Sequence, residues 1–460
     1  MRLYFVSLGC DKNRVDAERM LGTLLDAGHE ITDDEEQAEA VIVNTCCFID
    51  AAKEESIGEI LTYADMKTAG RIKALIVTGC MAQRYSAEIR KEIPEVDAVV
   101  MLSENGQIAR ILEDVSSGRE LPENCVYTGK GKEHAPENGR RVLTTGMSYE
   151  FLKIAEGCDR HCTYCAIPGI RGKYRSMPME ELVSEAERLA GEGISELILV
   201  AQECTRYGID LTGEKKLPEL LKRLCRIEGL HWIRVLYCYP EEIDDDLIDV
   251  IAAEKKICRY LDIPVQSGSD RILARMGRKI KQKDIRELVE KLRERIPDIC
   301  IRTTFITGFP GETAEDHRRT AELVRDMRFD RLGVFTYSQE EGTPAASFPD
   351  QVSERTKKLR RTKLMKLQQQ IVFEKGNALV GQTVEAVIEG RVTGVSSGSG
   401  YGDVYAARTM RDTPDVDGML FIENVDPDRE LITGNYVFAR ITGTDGYDLT
   451  GELCDEDESA

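Results

Sequence analysis

Phe151-Leu-Lys-Ile-Ala155-Glu-Gly-Cys158-Asp-Arg-His-Cys162-Thr-Tyr-Cys165 reads as a short apolar strand running directly into three cysteines spaced CxxxCxxC. Zinc sites usually take a CxxC pair plus a second, distant pair. Three cysteines within eight residues, with no fourth ligand nearby, suit three irons of a [4Fe–4S] cube, leaving the fourth iron open to an outside ligand. The triplet follows the C-terminal end of a strand, where the active sites of (β/α) barrels lie.

The same rhythm continues on both sides. Downstream, Glu196–Val200, Trp232–Leu236, Tyr260–Ile263, Cys300–Ile306 and Leu332–Phe335 are further apolar strands. Helical spacing lies between them, as in Met179–Glu192 and Lys283–Arg295. This alternation predicts a full or partial parallel (β/α) barrel over 144–375, ending in the basic helix Ser353–Lys375. Such a helix most often serves as a solvated connector. Upstream, Leu3–Val6, Ala40–Val43 and Ala74–Val77 alternate with the amphipathic stretches Arg14–Ala27 and Lys53–Met66, which predicts a separate parallel α/β domain over 1–120. A polar, breaker-rich linker is expected at 121–143. After Gly376, short alternating strands and glycine turns predict a small antiparallel β-barrel over 376–446, and 447–460 reads as a solvated acidic tail.

The 460 residues include 82 acidic and 62 basic ones, a formal net charge of −20. From Glu374 onward 18 acidic residues face 6 basic ones. That balance argues against broad binding of a phosphate backbone, which asks for a cationic surface. No run of 18 apolar residues appears, so no membrane span is expected. The opening residues lack the pattern of a signal peptide, so the cytoplasm is the expected compartment. Disulfides are disfavoured there, which turns the 14 cysteines toward metal binding or catalysis. Only five histidines occur (His29, His134, His161, His231, His317), with no HExxH or HxH arrangement, so a zinc hydrolase or a Ser–His–Asp enzyme is a poor fit.

A second set of cysteines is scattered. Cys10, Cys46 and Cys80 each follow an expected strand of the first domain within a few residues. In a parallel sheet those strand ends share one edge, so the three thiols can meet without a local motif. Three core cysteines would give the same pattern.

The motifs resemble those of a known family. CxxxCxxC resembles the radical S-adenosylmethionine (SAM) superfamily, in which the open iron chelates SAM. Ser7-Leu-Gly-Cys10-Asp-Lys-Asn13, Asn44-Thr-Cys46-Cys-Phe-Ile-Asp50 and Thr78-Gly-Cys80-Met-Ala-Gln-Arg-Tyr85 look like the N-terminal domain of the radical-SAM methylthiotransferases. The resemblance extends over essentially the whole chain, with a TRAM-type barrel at its end.

It implies two [4Fe–4S] clusters. Cys158, Cys162 and Cys165 would hold the one that reductively cleaves SAM. Cys10, Cys46 and Cys80 would hold the one that carries the sulfur. It also implies SAM contacts from Gln202, Glu203, Gly308 and Gly311, with Tyr164 near the adenine or simply in the core. No catalytic residue is expected beyond the cluster ligands. Cys47 stands where the family usually has glycine and competes with Cys46 as a ligand. Cys204 is the one other cysteine placed near the cleft.

Within the family, Leu8-Gly-Cys10-Asp-Lys-Asn13, Cys165–Ser176, Gln202–Gly208 and Ala407–Gly418 resemble the branch that modifies an aspartate of small-subunit ribosomal protein twelve. The acidic barrel suits a basic partner better than tRNA. Pro264-Val-Gln266-Ser-Gly-Ser-Asp270 resembles the branch that modifies tRNA adenosines, which stands as the alternative. A low-potential electron donor and a monomeric enzyme complete the expectation.

Overall fold

The apolar runs of the first 127 residues form one all-parallel sheet. Its strands are β1 (Arg2–Ser7), β2 (Glu30–Ile31), β3 (Ala40–Thr45), β4 (Ala74–Gly79), β5 (Ala98–Val100) and β6 (Val126–Tyr127), ordered β2-β1-β3-β4-β5-β6. Every residue of β3 and β4 is buried, which is why they read as continuous apolar runs rather than alternating ones. Chain order reverses between β1 and β3. The computed structural model describes residues 1–119, 125–127, 140–146, 148–392, 403–424 and 430–454. β6 comes from the stretch expected to be linker, so the first domain reaches Tyr127 and not 120. Two residues are too short to show a period in sequence; pairing with β5 makes them a strand. The rest of the expected linker lies largely outside the described residues.

The second sheet is also parallel. β7 (Tyr149–Lys153), β10 (Glu196–Val200), β11 (Trp232–Val235), β12 (Ile257–Asp262), β13 (Cys300–Thr307) and β14 (Arg331–Thr336) are neighbours in chain order, and β7 does not meet β14. The result is a partial barrel. The antiparallel pair β8 (Ala155–Glu156) and β9 (Arg175–Ser176) brackets the CxxxCxxC loop. Alternate side chains separate two cores. Leu152, Leu197, Leu199, Ile233 and Leu261 pack with the outer helices. Phe151, Ile198, Val200, Trp232 and Tyr260 face the other way, against Val15 of the first domain and Val387 and Met410 of the third.

The basic helix runs from Glu354 to Leu379 and is a strap rather than a solvated connector. Lys357 Nζ donates to the Tyr337 carbonyl at 2.8 Å, Arg361 Nε to the Val334 carbonyl at 3.0 Å, and Arg360 pairs with Glu312 at 2.7 Å.

The third domain is a closed barrel of β15 (Thr383–Val392), β16 (Asp403–Thr409), β17 (Leu420–Asn424), β18 (Tyr436–Asp445) and β19 (Asp448–Cys454), in the order β15-β16-β17-β19-β18. One pairing, β17 with β19, is parallel, so the barrel is not purely antiparallel. β19 lies inside the span read as acidic tail. Its Leu449 and Leu453 pack on the barrel core, while Asp448 and Glu452 disguise the alternation. Residues 455–460 lie outside the described ones.

The barrel's acidic loop turns inward. Asp412 pairs with Arg331, and Asp417 accepts from Tyr260 Oη at 2.8 Å and lies 3.8 Å from Arg302 and from Arg331, while Asp415 between them stays exposed. Part of the acidity counted in sequence therefore neutralises core arginines instead of facing a partner.

Candidate functional site

The CxxxCxxC loop is fastened from two directions and by one bond of its own. Cys158 N–H donates to the Gly172 carbonyl at 3.1 Å, Cys165 N–H to the Cys162 carbonyl at 3.0 Å, and Thr163 N–H to the Met276 carbonyl at 3.0 Å. Gly157 opens the loop at φ +77°, and a Cβ there would lie 2.2 Å from the Lys173 carbonyl oxygen. Cys158 and Cys162 are buried and Cys165 half-buried. Burial pushes the Cys158 thiol up to about 11 and the Cys165 thiol up to about 12. Such thiols become thiolates when a metal centre binds them.

The second triplet also assembles. Cys10 caps the start of the helix Asp11–Asp26, Cys46 follows β3, and Cys80 begins the helix Cys80–Glu92 directly after β4. The strand order places Cys10 and Cys46 on either side of the reversal between β1 and β3, where parallel sheets bind ligands. Gly9 sits at φ +94°, and a Cβ there would come 2.8 Å from Cys46 Cβ. Gly79 has the same role, at φ +92°, where a Cβ would lie 2.4 Å from the Thr45 carbonyl oxygen. Ser56 holds the Cys46 backbone from both ends, accepting from its N–H at 3.0 Å and donating to its carbonyl at 2.8 Å. Burial raises Cys46 and pushes Cys80 up to about 12, against the pull of the Arg171 cation.

Cys47 goes elsewhere. It is fully buried among Ile60, Tyr63, Val77 and Met81, and its cationic neighbours are Arg84 and Lys53.

Arg171 joins the two triplets. It ends the short helix that follows Cys165, and it reaches the first domain. It donates to Asp16 at 2.9 Å, Asn13 Oδ1 at 3.1 Å, Glu156 at 3.0 Å and Cys80 Sγ at 3.4 Å. Lys153 pairs with the same two carboxylates. Arg171 lies inside a motif quoted for its family likeness. Its one readable signal is a charge in an otherwise apolar helix.

The expected SAM contacts fare differently. Gln202 donates to Glu156 at 3.0 Å, and its Oε1 is buried with no hydrogen-bond partner. Glu203 is engaged by Arg160 at 2.9 and 3.0 Å, so it braces the cysteine loop. Gly308 and Gly311 are tightly packed on their Cβ side. Added Cβ atoms would lie 2.2 Å from Lys357 Cγ and 2.3 Å from an Asp350 carboxylate oxygen, and φ values of +71° and +80° likewise ask for glycine at both positions. Tyr164 packs with Ile272, Met276 and Phe309. Cys204 is fully buried in the outer core.

The donors fit cubane clusters. Among the described residues, no three His, Cys, Asp or Glu side chains converge on a single ion. A cube takes one thiolate per iron, so its ligands stand apart, and an all-sulfur set favours iron–sulfur chemistry. Next to Cys162, Arg278 keeps Nε and Nη1 buried without an acceptor. Its guanidinium stacks on Tyr239 at 4.2 Å, and Tyr239 Oη lies 3.8 Å from Cys162 Sγ. Buried donors of this kind suit an anionic, sulfide-bearing group.

Comparison with known proteins agrees with this geometry. Residues 152–324 match the Radical SAM superfamily, 2–101 the Uncharacterized protein family UPF0004, and 380–454 the TRAM domain. Among solved structures, the fold is similar to the radical S-adenosylmethionine methyltransferase TsrM from Kitasatospora setae, with TM-score 0.55 and 17% identity over 75% of this chain and 76% of that one. The chain is 52% identical to the ribosomal protein uS12 methylthiotransferase RimO of Lachnoclostridium phytofermentans, over 98% of this chain and 99% of the relative. It is 47% identical to that of Acetivibrio thermocellus, over 98% of both. With two cysteine triplets joined through one arginine, and identity of that order along its whole length, the chain belongs to the RimO family of radical SAM methylthiotransferases.

Proposed function

We propose that this chain inserts a methylthio group at the β-carbon of an aspartate of ribosomal protein uS12. The observation that carries the reading is that Arg171, at the end of the short helix that follows Cys165, donates to Cys80 Sγ of the triplet in the first domain. Cys158, Cys162 and Cys165 hold one [4Fe–4S] cluster, and Cys10, Cys46 and Cys80 hold the other. When bound, these clusters and SAM supply the electron, the radical and the methylated sulfur that the reaction consumes.

The chain's own residues hold, orient and keep dry. Glu203 fixes Arg160 in the loop around the first triplet. Arg171 and Lys153 clamp the first domain to the core through Asp16. Phe151, Val200 and Leu236 line the apolar interior behind them and exclude water. A C–H bond of this strength is not broken by proton transfer, so no general acid or base is assigned. The electron comes from an external low-potential donor. The enzyme works as a monomer in the cytoplasm; no described helix is long and apolar enough to cross a membrane.

Two measurements test the reading. Anaerobic wild-type protein should contain about eight irons, falling to about four in Cys10→Ala. A wild-type value near four removes the second site. Reduced enzyme with SAM should add a methylthio mass to uS12 and leave tRNA unchanged. Modification of tRNA instead would move the chain to the adenosine-modifying branch.

A further inference from the structure

The cations that border the two triplets are mostly saturated. Arg171 has Asp16, Glu156, Asn13 and Cys80; Lys153 has Asp16 and Glu156; Arg160 has Glu203, Glu241 and Glu242. Arg278 stands on the Cys162 side, stacked on Tyr239. Lys12 is the cation on the Cys10 side. Among the described residues Asp11, at 2.8 Å, is the one carboxylate paired with it, and both side chains are 8% exposed.

Lys12 is not there for the helix. It occupies the first turn of Asp11–Asp26, the positive end of the helix dipole, where a buried cation is disfavoured. It crosses the domain boundary instead, with Nζ 3.4 Å from the centroid of the Tyr237 ring. Tyr237 follows β11, at the C-terminal end of the core strands, and holds φ +57°. That region is uncommon for a bulky residue, and such strain gathers at ligand-binding positions. The Tyr237 hydroxyl donates to Asp11 Oδ1 at 3.3 Å, so Asp11 and Tyr237 aim the ammonium. Cys10, two residues away, is the exposed member of its triplet.

From this arrangement we infer that Lys12 receives the carboxylate of the substrate aspartate and makes the enzyme selective for a charged target. The assignment rests on the proposed aspartate substrate. The reacting β-carbon is one bond from that carboxylate, so the anion enters the cleft with it. The chain's net charge is −20, and an unpaired carboxylate is costly to desolvate. A cation two residues from Cys10 holds the anion while leaving the neighbouring carbon near the sulfur-bearing triplet.

The test uses holoenzyme with two versions of purified uS12, one with the target aspartate and one with asparagine there. Iron and sulfide content serves as the check that each variant is loaded. Wild type should prefer aspartate. Lys12→Met should raise KM for the aspartate protein by about tenfold or more and bring the two substrates within about twofold, with iron unchanged. Lys12→Arg should keep most of the preference. An unchanged preference in Lys12→Met, an equal loss on both substrates, or a loss of iron overturns the assignment. A wild type that modifies neither protein overturns the proposed function, and the role of Lys12 with it.

Discussion

Arg171 donates to Cys80 Sγ at 3.4 Å, across the boundary between the two α/β domains. The residue that ends the helix after one triplet thus touches a thiol of the other. Buried ion pairs hold this joint together, and their value depends on completeness.

Arg171→Met should therefore destabilise even the iron-free protein. Asp16 and Glu156 would share Lys153 alone. The expected loss is ~3–5 kcal/mol in urea unfolding of the apoprotein. Arg171→Lys, which keeps the charge but loses the fork, should fall between. A change below about 0.5 kcal/mol would show that the joint does not depend on this residue.

Gly9→Ala separates the two clusters. The added Cβ would sit 2.8 Å from Cys46 Cβ at φ +94°, and a non-glycine residue there carries ~1–3 kcal/mol of strain. The iron count should fall from about eight to about four, with CxxxCxxC still loaded. An undiminished count would mean that Cys46 has room to shift.

Cys46→Ala and Cys47→Ala should part company. Cys47 lies in an apolar core, so its loss should cost about 1 kcal/mol of stability and no iron. Cys46→Ala should lose about four irons. Exchanged results would make Cys47 the ligand.

His317 supplies a pH dependence remote from both triplets. Burial, with Arg360 and Lys363 nearby, pushes it down to about 4. The unfolded chain takes up that proton near pH 6.5, and the folded one resists it until about 4. Stability is thus full above 6.5 and declines as pH falls toward 4. His317→Gln should flatten the decline by roughly 1–2 kcal/mol, a value reduced for the residue's partial exposure. Parallel thermal-melt profiles for the two proteins from pH 7 to pH 4.5 would refute this.

What could be read in the sequence was what is local or follows from a parallel sheet. CxxxCxxC lies within eight residues. Cys10, Cys46 and Cys80 are far apart, yet each ends a strand, and parallel strands put such ends on one edge. The packing around Gly308 and Gly311 was not legible, because the residues that crowd them, Lys357 of the strap helix and Asp350 just before it, lie about forty to fifty residues further on. β19 hid behind its own charges. Arg171 and Lys12 stood inside quoted motifs, but their roles were not legible, since their partners Cys80 and Tyr237 belong to other domains.

The strand order of the last domain bears on synthesis. β19 is wedged between β17 and β18, so neither has its second neighbour until residues 448–454 have left the ribosome. The two α/β sheets are complete long before that and are free to form during translation. Until then the barrel that brings Arg408 to Glu196 and Met410 to the inner face of the core stays open at that seam. Closure of the barrel is therefore the late event of biosynthesis, and the lid over the core's inner face is the last part of the molecule to lock.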